Sequence, residues 1–478
     1  MRKVFLFLVF VIIVSQGYSQ EARKMTLKEC VDIALEKNLR IKRSIYNVET
    51  FRANMMQAKG AFLPTINASG SYTNNYGRAL NPTTNLFVDK NSTTITPSIN
   101  ASLPIFQGLR IQYTYQQNRR DVAAADFDLQ KAKNDVILNV VTLYTNVIFN
   151  QELFENAKYQ LNSSQQQLER IKKQVEAGSL AISNQLNQEA TVATNELNSI
   201  NQENVLLLSI LSLKQAMQMP ASEQITVEIP DLQLEDLVLD KNAEMIYQIA
   251  LQQMPEIRSA NLKVESANMA LKANRGAYLP RLSLNAGASS NSSNLNTRNS
   301  VISDGTYTVG TNPIGVALPS NENVYALIPN SQLVQEKYTH GDQLQDNIFK
   351  NMGISLTIPI LNGLNTRSNV QRSIINRELA NVTVQETQNT LRQSIETAYN
   401  DAMAASRSYG ASLKQVNAQQ EAYRMNKQRF EVGALNIIEY QVSENDLFRA
   451  KSDLTRAKYN FIFKKKVLDF YQGKQIEY

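Results

Sequence analysis

The chain has 478 residues, a formal net charge of +6, no tryptophan, one cysteine and one histidine. The positive charge is too diffuse to indicate nucleic acid as a partner. A single cysteine excludes an intrachain disulfide, and one histidine with one cysteine is too few for a His/Cys metal cluster. The histidine, His340, falls in a predicted external loop, which disfavours a histidine-based catalytic triad. The sequence therefore predicts neither an enzyme nor a protein with a bound cofactor.

The N-terminus has the pattern of a secretory signal peptide. Two basic residues precede an apolar run over residues 4–14, and the small residues Gly17 and Ser19 follow at cleavage spacing. We expect a signal peptide over residues 1–19, cleaved after Ser19. The run is too short to cross a bilayer core of about 30 Å as a helix. No later segment is long and apolar enough to do so, and the mature chain is therefore expected to have no transmembrane helix.

One motif occurs twice in the sequence. It appears as "KGAFLPTINASGSY" and again as "RGAYLPRLSLNAGAS", so that Gly60 and Pro64 match Gly276 and Pro280 at an offset of 216 positions. A second set of matching residues lies 255 positions apart and pairs Pro104, Gly108 and Gly178 with Pro359, Gly363 and Gly433. The chain is therefore an internal duplication.

The change of offset places 39 extra residues in the second copy, between Pro280 and Pro359. The inserted segment is rich in Asn, Ser and Gly, which predicts a long exposed loop. The histidine, His340, falls in this loop and is expected to be an ordinary loop residue. Cys30 lies in the helical pattern of "TLKECVDIAL" and is expected to be a buried thiol.

Long stretches of both copies lack glycine and proline. Residues 109–177 contain neither over 69 positions, and residues 364–432 contain only Gly410. Because proline breaks helix interiors and glycine weakens them, we expect long helices that turn at Gly178 and Gly433. A helix of that length would span roughly 100 Å at about 1.5 Å per residue.

Apolar residues in the segments after these turns recur at spacings of three and four. The first set comprises Leu186, Ala190, Ala193, Leu197 and Ile200, and the second comprises Leu447, Ala450, Leu454, Ala457 and Phe461. This spacing predicts coiled-coil packing.

Four short segments alternate between apolar and uncharged polar residues. After Pro64 the apolar positions are Ile66, Ala68, Gly70 and Tyr72, and the segments after Pro280 and before Pro104 and Pro359 alternate in the same way. An apolar face opposite a polar face is what a transmembrane β-strand between lipid and water requires. A soluble antiparallel sheet with one hydrated face is the alternative. The alternative is disfavoured because no compact apolar segment is left over to cover such a sheet.

Four strands cannot enclose a pore, and an open sheet edge cannot face hydrocarbon. If the strands enter a membrane, the barrel must therefore be assembled from several chains.

The chain resembles the TolC-type outer-membrane efflux proteins, also called outer membrane factors. The resemblance covers the mature sequence and depends on "TLKECVDIALEKN", "GAFLP"/"GAYLP", "LPIFQG"/"IPILNG" and "EAGSLAISNQ"/"EVGALNIIEY". It implies a mixed α/β membrane protein, internally duplicated. Each of three identical subunits would give four strands to a 12-stranded barrel that continues as a long periplasmic α-helical coiled-coil tunnel.

The same resemblance implies function and partners. Such a protein lies in the outer membrane of a Gram-negative bacterium, in contact with outer-membrane lipid. It is the exit duct of a tripartite efflux or type I secretion system, and it passively conducts substrates delivered by an inner-membrane pump through a periplasmic membrane-fusion adaptor. The pump would be of the resistance-nodulation-division or the ABC type, and the substrate stays open.

The domain boundaries follow from the duplication and the resemblance together. After the signal peptide, we expect a first structural repeat over residues 20–220, with a β-hairpin at about 64–104 and long helices turning at Gly178. An equatorial connector follows over residues 221–245. The second repeat covers residues 246–472, with a β-hairpin at about 280–359, an enlarged external loop and long helices turning at Gly433. A C-terminal tail occupies residues 473–478.

The resemblance also assigns residues to a periplasmic gate. The family's entrance is narrowed by acidic rings and held shut by an arginine. Aligned on this sequence, the two acidic positions fall on Glu439 and Val442, the arginine on Leu435, its aspartate partner on Asn184 and a gate tyrosine on Phe430. The charged pair is thus absent, and closure is expected to depend on apolar contacts of Leu435, Ile438 and Phe430. For Glu439, a solvated charge at a helix end is the alternative.

Two further groups of residues have positions implied by the resemblance. The helix turns at Gly178 and Gly433 are expected to contact the adaptor. The turns at the membrane entry are expected at Gly60, Pro64, Gly276, Pro280, Pro104 and Pro359.

Rival interpretations stay open at this point. A periplasmic coiled-coil adaptor would be soluble or lipid-anchored, and a porin-like, adhesive or envelope-spanning structural protein would use its helices only as a spacer.

Overall fold

A computed structural model describes residues 23–81, 83, 85–229 and 241–474. The expected signal peptide over residues 1–19 lies outside the described residues, as do residues 230–240 of the expected connector and residues 475–478 of the tail. Among the described residues, no helix combines the length and the apolar character that crossing a membrane requires.

The described residues form nine helices and eleven strands. The helices are α1 (Leu27–Lys37), α2 (Leu39–Gly60), α3 (Arg110–Glu176), α4 (Ile182–Ala216), α5 (Ala243–Gln253), α6 (Pro255–Arg275), α7 (His340–Asp346), α8 (Asn365–Glu431) and α9 (Ile437–Tyr471). The strands are β1 (Arg23–Met25), β2 (Thr65–Asn75), β3 (Arg78–Asn81), β4 (Leu86–Asp89), β5 (Ser92–Gln107), β6 (Ile225–Val227), β7 (Arg281–Ser289), β8 (Ser292–Ser293), β9 (Arg298–Ala317), β10 (Glu322–Glu336) and β11 (Phe349–Thr357).

The bounds of the helices repeat the two sequence offsets. Helices α1 and α5 both have 11 residues and begin 216 positions apart, as do the starts of α2 and α6. The long helices α3 and α8 both have 67 residues, α4 and α9 both have 35, and each pair begins 255 positions apart. Apart from α7, which occurs in the second copy alone among the described residues, the two copies contain the same succession of helices.

The duplicated short helices begin with side-chain caps. Thr26 and Glu29 form a capping box at the start of α1, with Glu29 N donating to Thr26 Oγ1 over 3.2 Å and Thr26 N donating to the Glu29 carboxylate over 3.0 Å. At the start of α5 the Asn242 side chain accepts from Met245 N. Such caps satisfy amides that have no partner inside the helix. They explain why helices begin at these sequence positions.

The chain divides into two compact units, each described by itself. The first comprises residues 1–55, 116–269 and 372–478, and of these residues 23 onward are described except for 230–240 and 475–478. One apolar cluster in it joins α1, β1, β6, α3 and α4, and includes the fully buried side chains of Val140, Tyr144 and Leu213. Cys30 belongs to this cluster, which confirms the expected buried thiol, and burial raises the pKa of that thiol to about 12. A second apolar cluster joins α5, α8 and α9.

The second unit comprises residues 56–115 and 270–371 and contains the main sheet. Its strands are antiparallel in the order β11, β7, β5, β2, and the short strand β8 also pairs with β5. Strands β2 and β5 form one hairpin and β7 and β11 the other, and the β5–β7 pair joins the two hairpins into one sheet.

The inserted segment differs from the expected irregular loop. Strands β9 and β10 pair as a long antiparallel hairpin, and His340 is the first residue of α7, where its Nδ1 lies 3.0 Å from Ser292 Oγ. A loop was expected because Asn, Ser and Gly dominate the composition of this segment, and that expectation was wrong. Two runs with β-branched and aromatic residues, such as Val301, Tyr307 and Val324, nevertheless favour strands.

Candidate functional site

The main sheet has one apolar face shared by all four long strands. In the register of the sheet, Ile66 lies opposite Ala101, Leu103 opposite Leu284, and Leu284 opposite Ile354. Residues directly opposite each other in an antiparallel pair project to the same side. The predicted strand phase is therefore confirmed, because a slip of one residue would have inverted a strand.

The apolar face is exposed in the single chain. Its large side chains include Ile66, Tyr72, Ile99, Met352, Ile354 and Leu356, which are 53–75% exposed. Lys350 marks the end of this face near the start of β11, opposite Ala288. An exposed apolar surface shared by four strands requires a covering partner, either lipid or protein.

The opposite face is lined by hydroxyl and amide side chains that bond across strands. Ser69 Oγ lies 2.8 Å from Ser98 Oγ in the first hairpin. Ser102 Oγ donates to Asn285 Oδ1 over 2.9 Å and so links the two hairpins. These groups are uncharged and accessible, so this face is suited to contact with water.

Strands β2 and β11 lie at the two ends of the sheet, so each pairs along one edge within the described chain. The other edge of each strand presents backbone donors and acceptors without a strand partner. Such edges are templates for pairing with another chain.

The residues expected at the membrane entry lie at the ends of these strands. Pro64 directly precedes β2 and Pro280 directly precedes β7, while Pro104 lies within β5, next to a break in its register with β7. Pro359 follows the end of β11. Gly60 is the last residue of α2, and Gly276 begins a short 3-10 turn after α6.

The two long helix pairs turn in the same way at Gly178 and Gly433. Both glycines have a positive φ, of 73° and 75° respectively. After Gly178, Ser179 N donates to Gln174 O, and Gly178 N donates to Val175 O, each over 2.9 Å. The same bonds recur around Gly433. This is the Schellman arrangement, which favours glycine because a left-handed conformation is required.

The residues aligned with the family's gate lie around the turn before α9. Asn436 caps α9 by accepting from Glu439 N, and its side-chain amide donates to the Glu439 carboxylate, both over 2.9 Å. Leu435 is half-buried, whereas Ile438 and Val442 are exposed and lie one helical turn apart. Glu439 is therefore part of the helix cap, whatever further role it has.

The other two gate residues have contacts within the same chain. The ring of Phe430 stacks on that of Tyr440, with centroids 4.9 Å apart. Asn184 lies in the first turn of α4, where its backbone nitrogen donates to Ala181 O. Both contact partners, Tyr440 and Ala181, lie outside the six residues assigned to the gate.

The sequence interpretation missed a buried polar group beside the turn. Tyr440 is buried, its hydroxyl lies 3.1 Å from that of Tyr423, and Ser163 Oγ donates to the Glu444 carboxylate over 2.8 Å. Burial raises the pKa of Glu444, although its bond to Ser163 opposes this. The sequence signal was the spacing of Ile437, Tyr440 and Glu444 along one side of α9, which places a carboxylate among buried apolar positions.

Comparison with known proteins gives similarity over nearly the whole chain. The chain is 21% identical over 450 residues to the outer membrane protein TolC of Escherichia coli, covering 93% of this chain and 82% of that protein. The fold matches the CmeC outer membrane channel of Campylobacter jejuni with a TM-score of 0.72 and 18% identity, covering 97% and 92% of the two chains. It also matches the open state of the MtrE outer membrane channel of Neisseria gonorrhoeae, with a TM-score of 0.67, 17% identity and coverages of 93% and 88%.

The fold and the two-faced sheet, together with these similarities, define the class as an outer-membrane channel protein. The model of the outer membrane efflux protein family matches residues 30–217 and 246–468, and the chain belongs to that family. The resemblance inferred from the sequence motifs is thus confirmed. The protein is located in the outer membrane of a Gram-negative bacterium and extends into the periplasm.

Proposed function

We propose that three copies of this chain form the exit duct of a tripartite efflux or type I secretion system. The sheets of three subunits would close into a 12-stranded barrel, continued by a periplasmic tunnel of coiled-coil helices. The observation that carries the proposal is the four-stranded sheet with one exposed apolar face, one polar face lined by hydroxyl and amide side chains, and two open edges. Lipid on the apolar face, water on the polar face and pairing at the edges would satisfy all three features.

The coiled-coil residues of α4 support assembly independently of the sheet. Leu186, Leu197 and Ile200 are 57%, 60% and 55% exposed, whereas Leu447 and Phe461, which belong to the apolar set on α9, are 4% and 2% exposed. Burying an apolar side chain is worth about 1.5–3 kcal/mol. A second copy of the chain packed on α4 would gain this stabilisation.

The duct would be passive and would take substrate from partners. No group of three or more metal-binding side chains occurs among the described residues, and the family's other members are named as channels and not as enzymes. We assign delivery of substrate to an inner-membrane pump, of the resistance-nodulation-division or the ABC type, acting through a periplasmic adaptor. The adaptor would contact the turns at Gly178 and Gly433.

Closure of the tunnel entrance would depend on apolar contacts around the turn before α9. Leu435, Ile438 and Val442 supply apolar surface there, and Phe430 is held by Tyr440. The family's charged pair has no counterpart at Leu435 and Asn184. We expect Leu435→Ser combined with Phe430→Ser to raise single-channel conductance. Unchanged conductance would contradict this mode of closure.

Glu439 would supply one acidic ring in the trimer. Three carboxylates on one axis attract cations, so Glu439→Gln should lower the preference of the open channel for cations. An unchanged preference would leave Glu439 with its role in the helix cap alone.

The test of the proposed function is fractionation followed by measurement of size and conductance. We expect the protein in outer membranes, extractable only with detergent, as a trimer that forms conducting pores in planar bilayers. Release from membranes by alkali without detergent would instead identify a periplasmic adaptor. A detergent-extracted trimer without conductance, and without an export defect on deletion, would identify a structural protein of the envelope.

A further inference from the structure

The two outer strands of the main sheet are duplicates of its two inner strands. Strand β2 corresponds to β7 at the offset of 216 positions, and β11 corresponds to β5 at the offset of 255. Strands β5 and β7 pair inside the chain, whereas β11 and β2 lie at opposite ends of the sheet. The duplicate of the β5–β7 pair therefore cannot form within one subunit.

The β5–β7 pair is closed at one end by two glycines in backbone contact. A Cβ atom on Gly108 would lie 2.1 Å from Gly276 O, and one on Gly276 would lie 2.3 Å from Gly108 O. Backbone atoms cannot move aside as a flexible side chain can. Each glycine is therefore required by the other.

The duplicates of these glycines, Gly363 and Gly60, have no such contact in the described chain. A Cβ atom on Gly60 would meet nothing within 4 Å, and one on Gly363 would meet only Asn365 Nδ2, at 3.9 Å. Gly60 also lies at a helix end with no left-handed φ. Nothing in the described part of the chain requires a glycine at position 60.

The outer strand also ends early. Strand β5 continues to Gln107, where it pairs with the start of β7, but β11 ends at Thr357, five residues short of the equivalent position. Beyond that point Ile360 and Leu361 are 93% and 87% exposed, whereas Phe106, the equivalent of Leu361, is 37% exposed. In the described chain, the segment after β11 has no neighbouring strand like the one that pairs with the equivalent end of β5.

We propose that β11 of one chain pairs with β2 of a second copy in the register that β5 and β7 have within the chain. Gly363 would then pack against Gly60 of the second copy, as Gly108 packs against Gly276. The inference rests on the proposed trimer and adds which residues meet at its subunit boundary. The contact joins two different edges, and three such contacts close a ring.

The β5–β7 register predicts a β11–β2 register when 255 is added to each position in β5 and 216 is subtracted from each position in β7. In this predicted register, apolar-face residues lie opposite apolar-face residues and polar-face residues opposite polar-face residues. It places Ile354 opposite Tyr72, Ser355 opposite Ser71, Leu356 opposite Gly70 and Thr357 opposite Ser69. Apolar residues thus meet apolar residues or glycine, and hydroxyls meet hydroxyls.

The β5–β7 pair and the proposed β11–β2 pair also place side chains of compatible size opposite each other. Inside the chain Asn100 lies opposite Gly287, where a Cβ atom would come within 3.1 Å of Asn100 Oδ1. At the equivalent position between subunits, the larger and the smallest residue are replaced by two serines, Ser355 and Ser71.

Disulfide formation tests the register. Residues directly opposite in an antiparallel pair have Cα atoms about 4.5–5.5 Å apart, which is within the range that a disulfide spans. We expect Ser71→Cys combined with Ser355→Cys to give a covalent trimer on oxidation, and each single variant to give none. The buried native Cys30 should not compete.

The matched control is Ser69→Cys combined with Ser355→Cys, on the same face but two residues out of register. Diagonal neighbours are about 7–8 Å apart, too far for a disulfide, so no covalent trimer is expected. A covalent trimer from this pair, or none from the first pair in a protein that is trimeric in detergent, would overturn the register. A protein that is monomeric in detergent would instead refute the proposed trimer itself.

The glycine contact is tested by Gly60→Ala. The substitution should abolish the trimer in detergent, although the single chain has open space at this position. Gly315→Ala is the control, because a Cβ atom on this glycine in β9 also meets nothing within 4 Å, and the trimer should persist. A Gly60→Ala protein that assembles as well as the Gly315→Ala protein would overturn the contact.

Discussion

Lysine substitutions at two neighbouring residues of β11 distinguish a surface that faces lipid from a surface that faces water. Ile354 lies in the middle of β11 on the apolar face, and Ser355 lies beside it on the polar face. Lysine on the lipid face of a barrel near the bilayer centre costs about 2–4 kcal/mol. A trimer would contain three such lysines, so Ile354→Lys should destabilise it by roughly 6–12 kcal/mol, whereas Ser355→Lys should destabilise it much less because that lysine faces water.

The assay is urea unfolding of the protein reconstituted in lipid vesicles, together with its yield in outer membranes. Ile302→Lys in β9 is the control for replacing an exposed isoleucine, since Ile302 is 53% exposed and Ile354 is 67% exposed in the single chain. We expect Ile302→Lys to be tolerated. Ser355→Lys should shift the channel's selectivity toward anions. Equal tolerance of Ile354→Lys and Ser355→Lys would refute a sheet with lipid on one side.

Three further substitutions test the helical unit. Gly433→Ala should destabilise the protein by about 1–2 kcal/mol, the cost of placing alanine in a left-handed backbone conformation. A steric clash should not add to this cost, because a Cβ atom at position 433 meets nothing within 4 Å. Tyr144→Phe should cost about 1–2 kcal/mol, since the buried hydroxyl bonds to two backbone oxygens at 2.7 and 3.1 Å. Glu444→Gln should stabilise the protein near neutral pH. Because the pKa of Glu444 is raised in the folded protein, its contribution to the free energy of unfolding is complete at a pH below 4.5, the ordinary pKa of the group. That contribution is lost as the pH rises through the raised pKa.

Thermal unfolding measures all three, with controls for two of them. Gly410→Ala is the same change inside helix α8, where alanine is favoured over glycine by about 0.5–1 kcal/mol. This substitution should therefore stabilise the protein, whereas Gly433→Ala should destabilise it. Tyr46→Phe removes an exposed hydroxyl and should have no effect. For Glu444→Gln, the melting temperature should fall less between pH 4.5 and pH 8 than in the unchanged protein. An equal fall in the two proteins would show that Glu444 titrates normally.

The parts of the fold that the sequence predicted depend on local rules. Absence of glycine and proline over residues 109–177 predicted the long helix α3, and Gly178 predicted its end, because backbone conformation decides both. Strict alternation around Ile66 and Ile354 predicted the faces of the strands, because the period of a strand is two.

The parts that the sequence did not predict depend on which element lies next to which. The apolar sets on α4 and α9 have the same spacing, yet Leu197 is exposed and Leu447 is buried. Periodicity identifies the apolar side of a helix but not its neighbour. The same limit hid the group of Tyr440 and Glu444, because the sequence does not show that Glu444 meets Ser163 of α3.

We expect the exposure of α4 to have the same origin as the open edges of the sheet, namely a contact with a second copy of the chain. Within the chain α9 packs on α3 through Asn445, which bonds to Gln160, and Phe448, whose ring lies against that of Tyr159. The offset of 255 positions assigns Ala190 and Ala193 of α4 as the equivalents of Asn445 and Phe448. Both alanines are exposed in the single chain.

The duplicate of α3 is α8, so the second copy that pairs its strand with β2 is also expected to lay its α8 on this face of α4. Alanine there lets the helices approach closely. Replacing Ala190 with cysteine gives the measurement, because the thiol should be protected from a water-soluble reagent in the trimer. A thiol that reacts as fast in the trimer as in the unfolded chain would show that the helical unit and the sheet do not repeat the same subunit contact.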